Sequence, residues 1–215
     1  MIDVSHPSKE SMRQMIALSK APIIASHSSA RALCNHSRNL DDDQLSWLKE
    51  NGGVVQTVAF TSYLNTEKHA ARTEALKDIE KKVMDSLGTT MIERSAISEL
   101  SEAERDAYYD TYRNMRTIVK TKIKTIEDLP PAVAVTDFVN HIDYLVEKMG
   151  IDHVGISSDF DGGGGIQGWS DASETFNVTL ELVKRGYTEA QIEQLWSGNL
   201  LRVLDEVAAV AVRLN

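Results

Sequence analysis

Four short apolar runs stand out along the chain, at residues 2–5, 22–26, 54–60 and 152–158. They are rich in Ile, Val and Ala and lack a regular polar face, the pattern of parallel strands buried on both sides. Pro22 opens the second run, where a missing N–H costs least. Stretches with helical spacing separate the runs. Over 8–20, Ser8 is placed to cap and Met12, Met15, Ile16 and Leu18 form the packed face. Over 41–51, Leu45 and Leu48 point inward and Gly52-Gly53 stop the helix. Over 136–149, Phe138, Val139, Ile142, Leu145 and Val146 make the stripe, with Gly150 as its stop. A helix over 174–185 closes at Gly186, Thr188 caps a short one over 189–196, and Asn199 precedes a last one over 200–212.

Residues 65–130 break this rhythm. They are rich in Glu, Lys, Arg and Ala and poor in large apolar side chains, with helices expected near 66–87 and 101–118 and a further segment between. Pro130-Pro131 end the stretch, since consecutive prolines break helices. It reads as a helical insertion and not as a core element. The remaining alternation of strand and helix predicts right-handed βα crossovers and a parallel sheet, hence an α/β fold. Four strands are half of a (β/α)8 barrel. The expected organisation is one partial barrel over 1–215, its C-terminal half, with a helical insertion at about 65–130. A start inside a strand suggests further chain upstream. There is no internal repeat or low-complexity tract.

Composition narrows the function. The 215 residues are 42% hydrophobic and 26% charged, a globular balance. A net charge of −9 disfavours nucleic acid, which needs clustered Lys and Arg. The one dense basic run, 116–124, reads as a solvated helix face. The single cysteine, Cys34, excludes an intrachain disulfide and reads as a packed thiol. No apolar stretch approaches the 18 or so residues of a membrane span. The N-terminus lacks the basic start of a signal peptide, and Asp3 and His6 interrupt its apolar run, so a cytoplasmic location is expected.

The candidate chemistry sits at the strand ends. His6 and His27 each close an apolar run, and Asp159 follows a later one. In parallel α/β folds the C-terminal strand ends converge on one rim. Neutral imidazoles bind zinc well, and a carboxylate can orient or deprotonate water beside the metal. A lone His at a strand end is usually a surface or capping group, but two at successive ends plus an Asp favour a metal site. Asp159 could instead cap the glycine-rich turn, although Asp161, in Asp-Gly, suits that role better. Gly162 to Gly165 form a flexible loop without the Lys-Ser/Thr of a phosphate cradle. Arg38, after the second strand, is either solvated or a clamp for a substrate carboxylate. His36, His69, His141 and His153 fit no such pattern.

Several of these segments together resemble the zinc-dependent membrane (renal) dipeptidase family. They are Asp3-Val4-Ser5-His6, the stretch from Ala21 through Ser26-His27-Ser28-Ser29-Ala30, Arg38-Asn39-Leu40-Asp41-Asp42, the stretch from Val154 through Ser158-Asp159-Phe160-Asp161-Gly162, and Gly198-Asn199-Leu200-Leu201-Arg202-Val203. They occur in family order over nearly the whole chain outside the insertion. The resemblance implies a binuclear zinc hydrolase acting on dipeptides. It makes His6 and His27 ligands of one zinc, and Asp159 the group that shuttles the proton of a bridging hydroxide. Arg38 would bind the dipeptide's free carboxylate, and Tyr63 would line the pocket. The family's His-x-Asp pair, its bridging Glu and a further active-site His have no counterpart here. The second metal's ligands are therefore missing, and activity would need a complementary N-terminal half. An inactive half-barrel that dimerises is the second reading. A cyclic-amide amidohydrolase is a third, weakened by Arg38. The open inner face, with Ile23-Ile24 and Val54-Val55, is expected to expose apolar side chains and drive homo-oligomerisation or pairing.

Overall fold

A computed structural model describes residues 1–214, apart from the side chain of Arg94. In chain order the elements are α1 (Lys9–Leu18), β1 (Ile24–Ala25), α2 (Asp42–Glu50), β2 (Val54–Val58), α3 (Thr61–Leu64), α4 (Thr66–Ser86), α5 (Arg94–Ile97), α6 (Glu102–Lys122), α7 (Val135–Met149), β3 (Val154–Ser157), α8 (Phe176–Lys184), α9 (Glu189–Glu193) and α10 (Asn199–Leu214). Local signals set many of these limits. Ser8 accepts from the Ser11 amide at the start of α1. Capping boxes start α2 (Asp41 with Gln44), α6 (Ser101 with Glu104) and α9 (Thr188 with Gln191). Each satisfies amide groups that the first helical turn leaves unpaired. Gly150 ends α7 with φ 89°, and Gly186 follows α8 with φ 86°.

The sheet is parallel and runs β1-β2-β3, with Ile24 opposite Val54 and Val55 opposite Val154. It has three strands where four were expected. The 2–5 run joins only through a bridge between Asp3 and Ile24, with Ile24 N–H donating to Ile2 and Val4 N–H to Ile24. The Asp3 side chain explains the interruption. Its Oδ1 accepts the Ser26 amide, which would otherwise continue the ladder to the Val4 carbonyl, and also the Ser5 amide.

Two compact units divide the chain, one from Met1–Thr66 with residues 132–214, the other Glu67–Pro131. The second has a small cluster of its own, Val83, Met84, Tyr108, Met115 and Val119. In the first unit α7 carries the centre of the core, with Phe138, Val139, Ile142 and Leu145 fully buried. In α1 the expected face holds for Met12, Met15 and Ile16, whereas Leu18 is 78% exposed. Six positions beyond Met12, it falls well off a stripe of period 3.6.

The expectation of an exposed inner sheet face is corrected by α10. Successive strand residues face opposite sides. Val55 packs into the main core, while Ile24 and Val54 pack against Val203, Leu200 and Val207. Ile24 is 8% and Val54 0% exposed. Arg202 fastens the helix there, donating to the carbonyls of Gly52 and Asp152 at 3.0 and 2.9 Å. The sequence showed α10 as a helix but not that its apolar side would lie on these two strands. At its start, buried Asn199 donates through Nδ2 to the carbonyls of Ile151 and Val154, both at 2.7 Å. Asn199→Ala is expected to cost about 1–3 kcal/mol, because two carbonyls lose their donor. Urea unfolding checks this, and an unchanged midpoint would show that water replaces the amide.

Candidate functional site

The polar groups collect at the C-terminal ends of the strands. His6 follows the Asp3–Ile24 bridge, His27 follows β1, Tyr63 lies on α3 just past β2, and Asp159 follows β3. The loop bearing Arg38 is tied off at its base by a bridge between Ala30 and Leu40. The Asn39 side-chain amide donates to the carbonyls of Cys34 and Tyr63 and so joins this loop to α3. Four of the five expected site residues come into direct contact. His6 Nε2 and His27 Nε2 are 2.9 Å apart. Arg38 Nη2 lies 3.3 Å from His6 Nε2, its Nη1 donates to the Tyr63 hydroxyl at 3.3 Å, and its Nε donates to the Ser5 carbonyl at 3.3 Å. Tyr63 stacks on Phe60 with ring centroids 4.3 Å apart, and the Arg38 guanidinium lies 5.5 Å from the Tyr63 ring. No carboxylate pairs with Arg38 among the described residues.

Asp159 is the one non-glycine residue with positive φ among those described, at 52°. Its backbone carbonyl turns the loop by accepting from Gly162 and Gly164 N–H, and its side chain makes no capping bond. The carboxylate is thus not consumed in capping the glycine-rich turn. Glycines make room around it. A Cβ on Gly162 would meet Asp159 Oδ1 at 2.2 Å, and one on Gly164 would meet the Ser158 carbonyl at 2.0 Å. The glycine loop, expected to be flexible, is anchored by a 2.7 Å bond from Gly165 N–H to the Ala59 carbonyl.

Burial keeps the His27 pKa below the usual imidazole value, and Arg38 adds to this. The charges of Asp159 and Asp3 oppose the shift, while His6 reinforces it. His27 is therefore biased toward the neutral form, the one that binds metal. Burial would raise the Asp3 pKa, but hydrogen bonds from Ser26 and Ser5 outweigh it and hold the group below the ordinary carboxylate value. The donor chemistry fits zinc. At zinc–nitrogen distances of about 2.0–2.1 Å, both Nε2 atoms can reach one ion. The set is partial, because no group of three His, Cys, Asp or Glu side chains arranged to hold a metal exists among the described residues.

Other residues near the site were not singled out by the sequence. His36 lies against Tyr63 at 4.4 Å, its pKa lowered by burial and by Arg38 and Arg31. Asp3, Ser5 and Ser26 support His27. Their one sequence signal was placement beside the two histidines. His141 is buried as a structural group, accepting the Ala30 amide at Nδ1 while Nε2 meets the Leu64 carbonyl. Cys34 is buried and free, as its apolar neighbours implied. No helix among the described residues is long and apolar enough to cross a membrane.

A parallel sheet flanked by helices, with imidazoles and a guanidinium gathered at its strand ends, makes this an α/β protein. The chain belongs to the membrane dipeptidase family (peptidase family M19), a metal-dependent family whose model matches residues 1–215. The probable dipeptidase PvdM of Pseudomonas aeruginosa is 36% identical, with a TM-score of 0.66 over 96% of this chain and 50% of that one. A metallo peptidase of Rhodobacter sphaeroides, solved with a phosphinate mimic of the dipeptide L-Ala-D-Ala, has a TM-score of 0.63 over 96% of this chain and 42% of that one. At 23% identity, that likeness is one of fold. Dipeptidase aclJ of Aspergillus oryzae is 30% identical over 212 residues, which are 98% of this chain and 36% of that protein. The chain thus spans between about a third and a half of the length of these relatives.

Proposed function

We propose that the chain carries the C-terminal half of the catalytic barrel of a zinc-dependent dipeptidase, with further ligands supplied by residues outside it. The observation that carries this reading is the convergence of His6 Nε2 and His27 Nε2 at 2.9 Å, with Arg38 and Tyr63 beside them. His6 and His27 hold the zinc. When bound, zinc supplies Lewis acidity to the peptide carbonyl and to water. Arg38 receives the dipeptide's free carboxylate through its planar fork, and Tyr63 packs against the guanidinium to keep it in place. Asp159 takes the proton lost by the attacking water and delivers it to the leaving amine.

The partial ligand set gives the first test. Catalytic zinc usually has three protein ligands. The 215-residue chain alone is therefore expected to bind zinc weakly in calorimetry and to hydrolyse dipeptides poorly. Tight binding with turnover equal to that of a full-length relative would overturn the division of the site. The same partial set favours a second reading, a catalytically inactive half-barrel that dimerises or pairs with a separate N-terminal half. No turnover even after an N-terminal half is added would select it.

Arg38→Lys tests the substrate assignment. Lysine keeps the charge but loses the fork, and the contact is remote from the bond that breaks. KM should rise about tenfold, the value of a lost hydrogen bond to a charged group, while kcat changes less. Steady-state kinetics on the zinc-loaded enzyme reconstituted with its N-terminal half decide, and an unchanged KM would remove Arg38 from the site.

A further inference from the structure

The His27 ring has a second nitrogen, and its partner is defined. Nδ1 lies 2.7 Å from Ser26 Oγ. Ser26 Oγ donates to Asp3 Oδ2 at 2.5 Å. The other oxygen, Asp3 Oδ1, accepts the Ser5 amide, the Ser5 hydroxyl and the Ser26 amide, each at 3.0 Å. The Ser5 hydroxyl in turn accepts the His27 amide at 3.0 Å. Asp3 is thus an acceptor at both oxygens, and the backbone around His27 is held by the same carboxylate.

A serine hydroxyl has one proton to give. Here it goes to Asp3, which as a carboxylate can only accept. The Ser26 oxygen can then meet His27 Nδ1 only with a lone pair, so Nδ1 must carry the ring proton. In the neutral imidazole the other nitrogen, Nε2, is then left with its lone pair. That is the nitrogen facing His6.

We propose that Asp3, acting through the Ser26 hydroxyl, fixes His27 as the Nδ1–H tautomer and thereby presents its Nε2 lone pair to the metal. Asp3 and Ser26 are positioning residues, since neither reaches the ion. The inference rests on the reading of His27 as a zinc ligand only for its consequence. The tautomer itself follows from the hydrogen bonds at Nδ1. The 2.9 Å contact between the two Nε2 atoms then places a proton on His6 Nε2 in the metal-free chain, so that the 3.3 Å approach of Arg38 Nη2 to it is a contact and not a hydrogen bond. Partners behind a ligating histidine commonly orient the ring and fix its tautomer in this way.

The test separates the two. At about pH 8, above the ordinary imidazole pKa of about 6.5, two-bond 1H–15N spectra of the metal-free chain report which His27 nitrogen bears the proton. Wild type should show a protonated Nδ1 and a bare Nε2. In Asp3→Asn the new amide can donate to Ser26 Oγ and turn the hydroxyl proton toward His27. Nδ1 must then accept, and the protonated nitrogen should switch to Nε2. Ser26→Ala should lose the Nδ1–H preference, and Ser26→Thr, which keeps the hydroxyl, should restore it. Zinc affinity by calorimetry should fall about 10- to 100-fold in Asp3→Asn and Ser26→Ala and recover in Ser26→Thr. Circular dichroism melts identify any variant that fails to fold, and the Ser26→Thr and Ser26→Ala pair then carries the comparison.

An Nε2-protonated His27 in wild type, or an Nδ1 signal indifferent to both Asp3→Asn and Ser26→Ala, would overturn the proposal. A tautomer that switches while zinc affinity stays constant would refute the ligand role of His27 and leave the relay standing.

Discussion

His27→Ala is expected to weaken zinc binding by at least about a hundredfold, more than the 10- to 100-fold typical of losing a group that only supports a ligand. Two imidazoles supply the converging nitrogens of the site, 2.9 Å apart, and removing one leaves an ion with a single strong protein donor. The effect should exceed that of Arg38→Lys, which leaves the metal-binding atoms untouched. Calorimetry with zinc on the folded variant is the measurement. A dissociation constant within a few-fold of wild type would mean that the ion, if any binds, sits elsewhere. Because His27 is half-buried and at a loop, its loss should change the melting temperature little. Binding and folding effects therefore remain separable.

Val203→Asp is expected to destabilise the chain by about 4 kcal/mol or more, since it places a carboxyl in an apolar contact with no partner. Val203 is fully buried, in one cluster with Ile24 and Val54. For a domain of this size the melting temperature should drop by about 8–16 °C, at roughly 2–4 °C per kcal/mol. Val203→Ala is the reference. It removes two methyl-sized groups and should cost about 1.5 kcal/mol. If both variants melt together, α10 does not cover the sheet, and Ile24 and Val54 are exposed as the sequence suggested. If aspartate is far worse, the C-terminal helix shields these strands in the chain as it stands.

The helices and the strand cores were legible because their signals are local. A cap such as Ser8 or Thr188 and a stop such as Gly150 act within one turn of chain. The period of Phe138, Ile142 and Leu145 needs only a neighbouring apolar surface to be realised. The placement of the candidate site residues was legible for a related reason. Parallel strands all end on the same rim, so His6, His27 and Asp159 could be brought to one end of the sheet before any contact was known.

What the sequence left open depended on contacts between distant segments. Asp3 looked like an interruption in an apolar run. Only the fold brings Ser26 within reach of its carboxylate, and that contact shortens the first strand and orients His27 at once. His141 had the same residue type as the site histidines, yet it is fixed between the Ala30 amide and the Leu64 carbonyl. The place of α10 was the largest unknown. Its amphipathic pattern determined that one side would be buried, but an apolar stripe carries no address. The tertiary structure chose Ile24 and Val54 as its partners, because the alternate residues of those strands, Ala25 and Val55, already face the main core, and the remaining face had to be covered to stay out of water.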